Sequence, residues 1–271
     1  MPMSNSLEMP LIRYLAMSGI GSRRYCDKLI QDGRVSVNGE IAGNGVRVVP
    51  DKDRILIDGA PTLLAPEMLY ILLHKPRGFI VSDNDPEGRP LARSLLPDIG
   101  MRLFPVGRLD FQTEGAILFT NDGIWANKIA HPRNRIPKTY LAKVRHVPRK
   151  EDLEKWTRGV SDQGQILRAS HVEIDRRTES NAWLKVTLTG GVNRQVRRMG
   201  DATGFPVVKL VRIAIGNIEL GSLRSGEYRF LTPKEVRSLS DYSGTTTKPS
   251  DRPSVRTHSS RPSKGTSRRS R

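Results

Sequence analysis

Apolar positions in the first sixty residues follow a helical rhythm and then a strand rhythm. Leu11, Ile12 and Leu15 recur at helical spacing and predict a short amphipathic helix ending at Gly19. Ser22 is a good N-cap for a second helix, which carries Cys26, Leu29 and Ile30 on one face and stops at Gly33. The period then drops to two. Arg34-Val35-Ser36-Val37 alternates, Asn38-Gly39 is a two-residue hairpin signal, and Val46, Val48, Ile55 and Ile57 continue short strands up to Asp58-Gly59. Residues 61–66 have the composition of a linker. From Met68 to about Ser240, short β-rich runs alternate with turns and two or three helices, which predicts an α+β domain built on a mostly antiparallel sheet. Residues 243–271 break the pattern: they hold eight Lys or Arg, 13 Ser or Thr and one aliphatic residue, Val255. Such a segment buries too little apolar surface to offset its ordering entropy and is expected to be a disordered basic tail. The expected organisation is therefore a small module at 7–60, a larger domain at 66–240 and a tail at 243–271.

Charge narrows the class of partner. The 271 residues carry 45 Lys and Arg against 28 Asp and Glu, a formal net charge of +17. That excess predicts a polyanionic partner. The longest apolar run, Met68 to Leu73, is far short of the roughly 20 residues of a spanning helix, so nucleic acid is expected and a membrane is not. No apolar signal segment is evident at the N-terminus, and the lone cysteine, Cys26, rules out an intramolecular disulfide framework. A cytoplasmic location and a monomer follow as expectations.

The most distinctive stretch is Gly107-Arg108-Leu109-Asp110-Phe111-Gln112-Thr113-Glu114-Gly115, followed by the apolar run Ala116–Phe119 and the turn Asn121-Asp122-Gly123. It reads as a tight loop that presents Asp110 and feeds a buried strand, with Arg108 as a nearby cation. Three further segments bear chemistry. Lys75-Pro76-Arg77-Gly78 is a basic turn after a strand. Tyr140, in Lys138-Thr139-Tyr140-Leu141, lies on an alternating strand, where it either packs in the core or offers a ring face to an extruded base. Gly190-Gly191-Val192-Asn193-Arg194-Gln195-Val196-Arg197-Arg198-Met199 is a glycine turn leading into a basic helix. Its arginines suit a solvated face, or phosphate contacts with one guanidinium turned inward.

Taken in order, these four segments and the trailing Val211-Arg212 resemble the Rsu-type pseudouridine synthases, which isomerise uridines in bacterial ribosomal RNA. The N-terminal pattern, with its Ser-Arg-Arg helix start and Arg34–Gly39 hairpin, resembles the S4-type RNA-binding domain. The resemblance covers roughly residues 8–235 and departs only slightly, with Ala116 where Leu is commoner and Val192 where a basic residue is usual. It implies that Asp110 is the catalytic acid, that Tyr140 stacks on the target base and that Arg197 pairs with Asp110. It further implies that Leu210 completes an apolar pocket wall and that Arg108 helps hold the flipped-out nucleotide. Arg23, Arg24, Lys28 and Arg34 match the RNA-binding face of the S4-type module, and Lys75, Arg77, Arg194 and Arg198 are expected to add RNA contacts.

The implied reaction agrees with the residues. Uridine isomerisation breaks one glycosidic bond and forms another with no net oxidation, so no cofactor or metal is expected. Gly19-x-Gly21 is followed by Arg24 where a dinucleotide fingerprint needs glycine, and the five histidines lack metal-ligand spacing. Asp83-x-Asp85-x-Glu87-Gly88 suggests a calcium loop, but Pro86 interrupts it and Ser94 stands at its twelfth position. The Asn193-Arg194-Gln195 sequence and the short insertion at 176–181 look more like the large-subunit enzymes, so 23S RNA is the expected substrate and 16S RNA the alternative. Rival readings are a non-catalytic ribosome-assembly factor and a metal-dependent nuclease. The first is opposed by the presence of Asp110, the second by the shortage of clustered carboxylates.

Overall fold

A computed structural model describes residues 8–63 and 67–242. The predicted tail at 243–271 and residues 64–66 of the predicted linker lie outside the described residues. The N-terminal unit comprises β1 (Met9–Pro10), α1 (Leu11–Met17), α2 (Arg23–Gln31), β2 (Val35–Val37), β3 (Glu40–Ile41), β4 (Arg47–Val48), β5 (Ile55–Ile57) and β6 (Ala60–Pro61). Ser22 caps α2 by accepting from the Tyr25 amide, as its position predicts. Asn38 and Gly39 both adopt positive φ and turn β2 into β3, and Asp58-Gly59 does the same between β5 and β6. Leu11, Leu15, Cys26, Leu29 and Ile30 from the helices pack against Val35, Val48 and Ile55 from the strands. Cys26 is a buried small hydrophobe.

The larger unit contains β7 (Tyr70–Lys75), β8 (Phe104–Val106), β9 (Glu114–Thr120), α3 (Gly123–Ala130), β10 (Lys138–Arg145), α4 (Lys150–Arg158), β11 (Val160–Asp162), β12 (Gln165–Leu167), β13 (His171–Arg177), β14 (Asn181–Leu188), α5 (Gln195–Ala202), β15 (Val207–Ile215), β16 (Ile218–Glu219), β17 (Tyr228–Phe230) and α6 (Pro233–Ser240). Nine strands form one sheet in the order β13-β14-β10-β15-β9-β7-β17, with β8 on β9 and β16 on β15. All pairings are antiparallel except β15 with β9. β7 and β9 are buried on both faces, which explains their continuous apolar runs. Leu72, Ala116 and Leu118 face one core, with α3 and α6, while Ile71, Leu73, Ile117 and Phe119 face another.

Four α-helices stand here among the described residues where two or three were expected. One of them, α4, is mostly charged and is anchored by one buried residue, Trp156, whose Nε1 donates to Thr203 Oγ1. Strand β7 also runs further than the pattern suggested, taking in His74 and Lys75 before the turn.

Candidate active site

The parallel β9–β15 joint positions the loop that carries Asp110. Arg212 of β15 lies opposite Gly115, at the start of β9. Gly115 has φ +112°, and a Cβ there would collide with the Arg212 backbone. A side chain is thus excluded at this point, and the loop can fold back directly over β15.

Four anchors then fix the loop from outside. Arg212 is buried; its Nε donates to Ala116 O at 2.6 Å and its Nη1 to Arg108 O at 3.4 Å, one carbonyl on each side of Asp110. Arg197 Nη2 donates to Gln112 O at 3.2 Å while Nη1 holds Val207 O at 2.9 Å. The Gly78 amide donates to Phe111 O at 2.9 Å, and the Thr113 amide closes on Asp110 O at 3.0 Å. Four carbonyls outside the loop's own turn bond are thereby satisfied, and the carboxylate is presented without freedom of its backbone.

Asp110 faces a cleft of about 270 Å³, at the small end of ligand-binding sites and of a size for one nucleoside. Tyr140, Leu210, Leu188, Val196 and Ile215 supply apolar wall, and the 190–194 turn closes one side. The charged residues lining the cleft are Arg108, Lys138, Arg194 and Arg212 against Asp110 alone. Glu114, the nearest other acid in the chain, is engaged by Lys209 at 3.1 Å.

The structure brings together Asp110, Arg108, Tyr140, Arg194 and Leu210, all on the cleft wall. Arg197 needs correction. No ion pair within 4 Å joins it to Asp110 among the described residues, because its guanidinium is committed to two backbone carbonyls. The two charges still feel each other at longer range: burial and Arg194 push the Arg197 pKa down, and Asp110 opposes them.

Lys75 is not an RNA contact. It is completely buried, and its Nζ donates to Pro76 O at 2.8 Å and Phe79 O at 2.9 Å, closing the turn whose Gly78 amide holds the Asp110 loop. Burial pushes its pKa down to about 8 against the opposing pull of Asp110 and Glu114. Arg198 is likewise occupied, bonded by Nε and Nη2 to Asp162 and by Nη1 to Gln165 on the β11–β12 hairpin. Arg77 is exposed on the turn. In the N-terminal unit Arg23, Arg24 and Lys28 are exposed, whereas Arg34 forms a two-point pair with Asp58.

Two residues of the site escaped the sequence reading. Lys138 had a signal: it stands two positions before Tyr140 on an alternating strand and so shares its face. Arg212 stood in the trailing Val211-Arg212 motif with no role attached, since its task is set by the β9 pairing. No cluster of His, Cys, Asp or Glu among the described residues could hold a metal ion. Asp83 and Asp85, of the discounted calcium loop, are bonded to Arg102 and Arg89.

The larger unit thus holds a nine-stranded sheet and a cleft lined by a single carboxylate, and the N-terminal unit is small and carries exposed cations. Comparison with known proteins makes the family definite. Residues 69–202 match the RNA pseudouridylate synthase family and residues 9–55 the S4 domain. The chain is 40% identical over 233 residues to the ribosomal large subunit pseudouridine synthase B of Bacillus subtilis (strain 168), covering 84% of this chain and 94% of that protein. It is 38% identical over 235 residues to an uncharacterized RNA pseudouridine synthase of Aquifex aeolicus, covering 86% and 94%. Among solved structures, a crystal structure of a pseudouridylate synthase superposes with a TM-score of 0.60 at 29% identity, covering 85% of this chain and 99% of that one. The chain belongs to the Rsu-type RNA pseudouridine synthases with an N-terminal S4 domain, and it is an isomerase.

Proposed function

We propose that this enzyme converts a uridine of 23S ribosomal RNA to pseudouridine with Asp110 as its one catalytic carboxylate, as a cytoplasmic monomer. The observation that carries the assignment is that Asp110 is the sole acid among the residues lining the cleft. The large-subunit substrate is supported by the name of the Bacillus subtilis relative. The reaction breaks the C1′–N1 bond, turns the uracil and joins C5 to C1′; the hydrogen leaves C5 and N1 regains one. Atoms and oxidation states balance within the nucleoside, so no co-reactant enters.

In this reading the anchored loop holds the carboxylate against the ribose side of the bound uridine, and the Tyr140 ring lies along the base with Leu210 behind it. Arg108 and Arg194, at the exposed rim, meet the flanking backbone. A preset geometry serves this chemistry because loop reorganisation would otherwise add to the barrier. Stacking on Tyr140 contributes on the order of 1–3 kcal/mol. Pseudouridine mapping of ribosomal RNA from a strain lacking the gene tests the proposal. Loss of a position in 23S RNA is expected. Loss in 16S RNA instead overturns the large-subunit assignment, and an unchanged map favours an RNA-binding assembly factor.

A further inference from the structure

We infer that Lys138 is a substrate-binding residue, whose Nζ takes a backbone phosphate of the target nucleotide inside the cleft. This rests on the reading that the cleft receives a flipped uridine of an RNA chain. A nucleotide drawn out of its helix brings its phosphates with it, and they must be accommodated at the edge of the pocket that holds the base.

The placement favours Lys138 for that task. It occupies the start of β10, on the same face as Tyr140 and opposite Ile215 of β15, and lines the cleft. The ammonium has three N–H groups, yet its hydrogen bond is a single one, to Ile136 O at 3.0 Å. No carboxylate lies within 4 Å of it among the described residues. The charge nearest in effect is another cation, Arg212, whose buried Nη2 also has no hydrogen-bond partner. Four cations around one carboxylate leave the cleft with an excess of positive charge that a bound phosphate would neutralise.

Burial, with Arg212 adding to it, pushes the Lys138 pKa down to about 8. An arriving anion favours the charged form, so phosphate binding and protonation are linked. Above pH 8 the free enzyme must take up a proton to bind, and affinity falls as pH rises. Asp110, Arg108, Arg194, Arg212 and Tyr140 also face the cleft, and Lys75 lies behind it. A Lys138→Arg variant keeps all of them and replaces one titrating amine by a permanent charge.

The test uses the full chain and synthetic RNA oligonucleotides spanning the mapped uridine, either unmodified or with a neutral methylphosphonate directly 5′ or 3′ of it. Binding is measured in an Asp110→Asn background, and conversion with Asp110 intact. Lys138→Met is expected to bind roughly tenfold more weakly. One methylphosphonate is expected to cost the parent a similar factor and the Met variant almost nothing. Between pH 7.5 and 9.5 the parent loses affinity and Lys138→Arg does not, a comparison that stands even if Lys138→Met folds poorly. Equal pH profiles for Lys and Arg, or equal methylphosphonate penalties with and without Lys138, overturn the inference. If the parent converts no uridine in ribosomal RNA, the functional reading fails first and takes this inference with it.

Discussion

The N-terminal unit and the catalytic cleft use the same residue types in opposite ways. Arg23 and Arg24 at the start of α2 and Lys28 in its last turn stand exposed to solvent. Lys75 and Arg212 are buried and Arg197 is half-buried, and each ends on backbone carbonyls of the turn or loop that presents Asp110. An exposed cation acts at a distance on a polyanion, through counterions it displaces, and its loss weakens binding without deforming anything. A buried cation bound to carbonyls acts on geometry, and its loss leaves polar groups unsatisfied. In the proposed function the contrast separates addressing of the RNA from alignment of Asp110, and each half makes its own prediction.

The largest effect is expected from Arg212→Met. Two carbonyls, Arg108 O and Ala116 O, lose their donor at about 1–3 kcal/mol each, and the Asp110 loop loosens. The turnover number should fall about a hundredfold or more, while RNA affinity changes little. Chemical unfolding and single-turnover kinetics together decide this. A variant that loses RNA affinity and keeps its rate would place Arg212 among the addressing residues.

A smaller effect, of the opposite kind, is expected from Arg23→Gln, Arg24→Gln and Lys28→Gln combined. The log–log salt slope of RNA binding should drop by roughly 0.7 for each contact removed, with the saturating conversion rate preserved. An unchanged slope would show that this face is ordinary solvated surface. Tyr140 refines the division further. Tyr140→Phe keeps the ring face and should retain base capture, whereas Tyr140→Ala should lose on the order of 1–3 kcal/mol. Equal damage from both would move the role from the ring to the hydroxyl.

The smallest effect concerns Lys75 and pH. Its amine is pushed down to about 8 in the folded chain, against about 10.4 for a free lysine. Between those values the unfolded chain binds more protons, so stability rises with pH across the window. Relative to Lys75→Met, the parent protein should therefore gain stability from about pH 8 to pH 10.5, measured by urea unfolding. A difference that is flat with pH would mean that the buried amine is not strained by its charge.

Much of the fold was legible because it is locally encoded. Asn38-Gly39 and Asp58-Gly59 need positive φ, Ser22 must cap a helix, and the double-faced burial of β7 and β9 shows as unbroken apolar runs. The carboxylate and the Tyr140 wall of the cleft were legible through the family resemblance that their motifs carry, since the loop and strand patterns alone fit a structural turn and a core tyrosine equally. What could not be read was the destination of each cation. Lys75 and Arg77 are two residues apart in one turn, yet one is fully buried and the other exposed. Arg197 and Arg198 are adjacent on α5, yet one reaches the Asp110 loop and the other the β11–β12 hairpin. Lys75 closes its own turn, but Arg197 reaches Gln112 O, 85 residues away, and Arg198 reaches Gln165 and Asp162, 33 and 36 residues away, all supplied by tertiary packing. The charge pattern alone carries no such information.

The most direct measurement is conversion of a 23S RNA transcript by the purified full chain and by Asp110→Asn, with pseudouridine mapped at nucleotide resolution and RNA affinity measured in parallel. The parent is expected to modify a defined uridine, and the Asn variant to modify none while binding RNA within a few-fold of the parent. Pseudouridine formed by Asp110→Asn at a comparable rate would contradict the assignment of Asp110 as the one catalytic carboxylate.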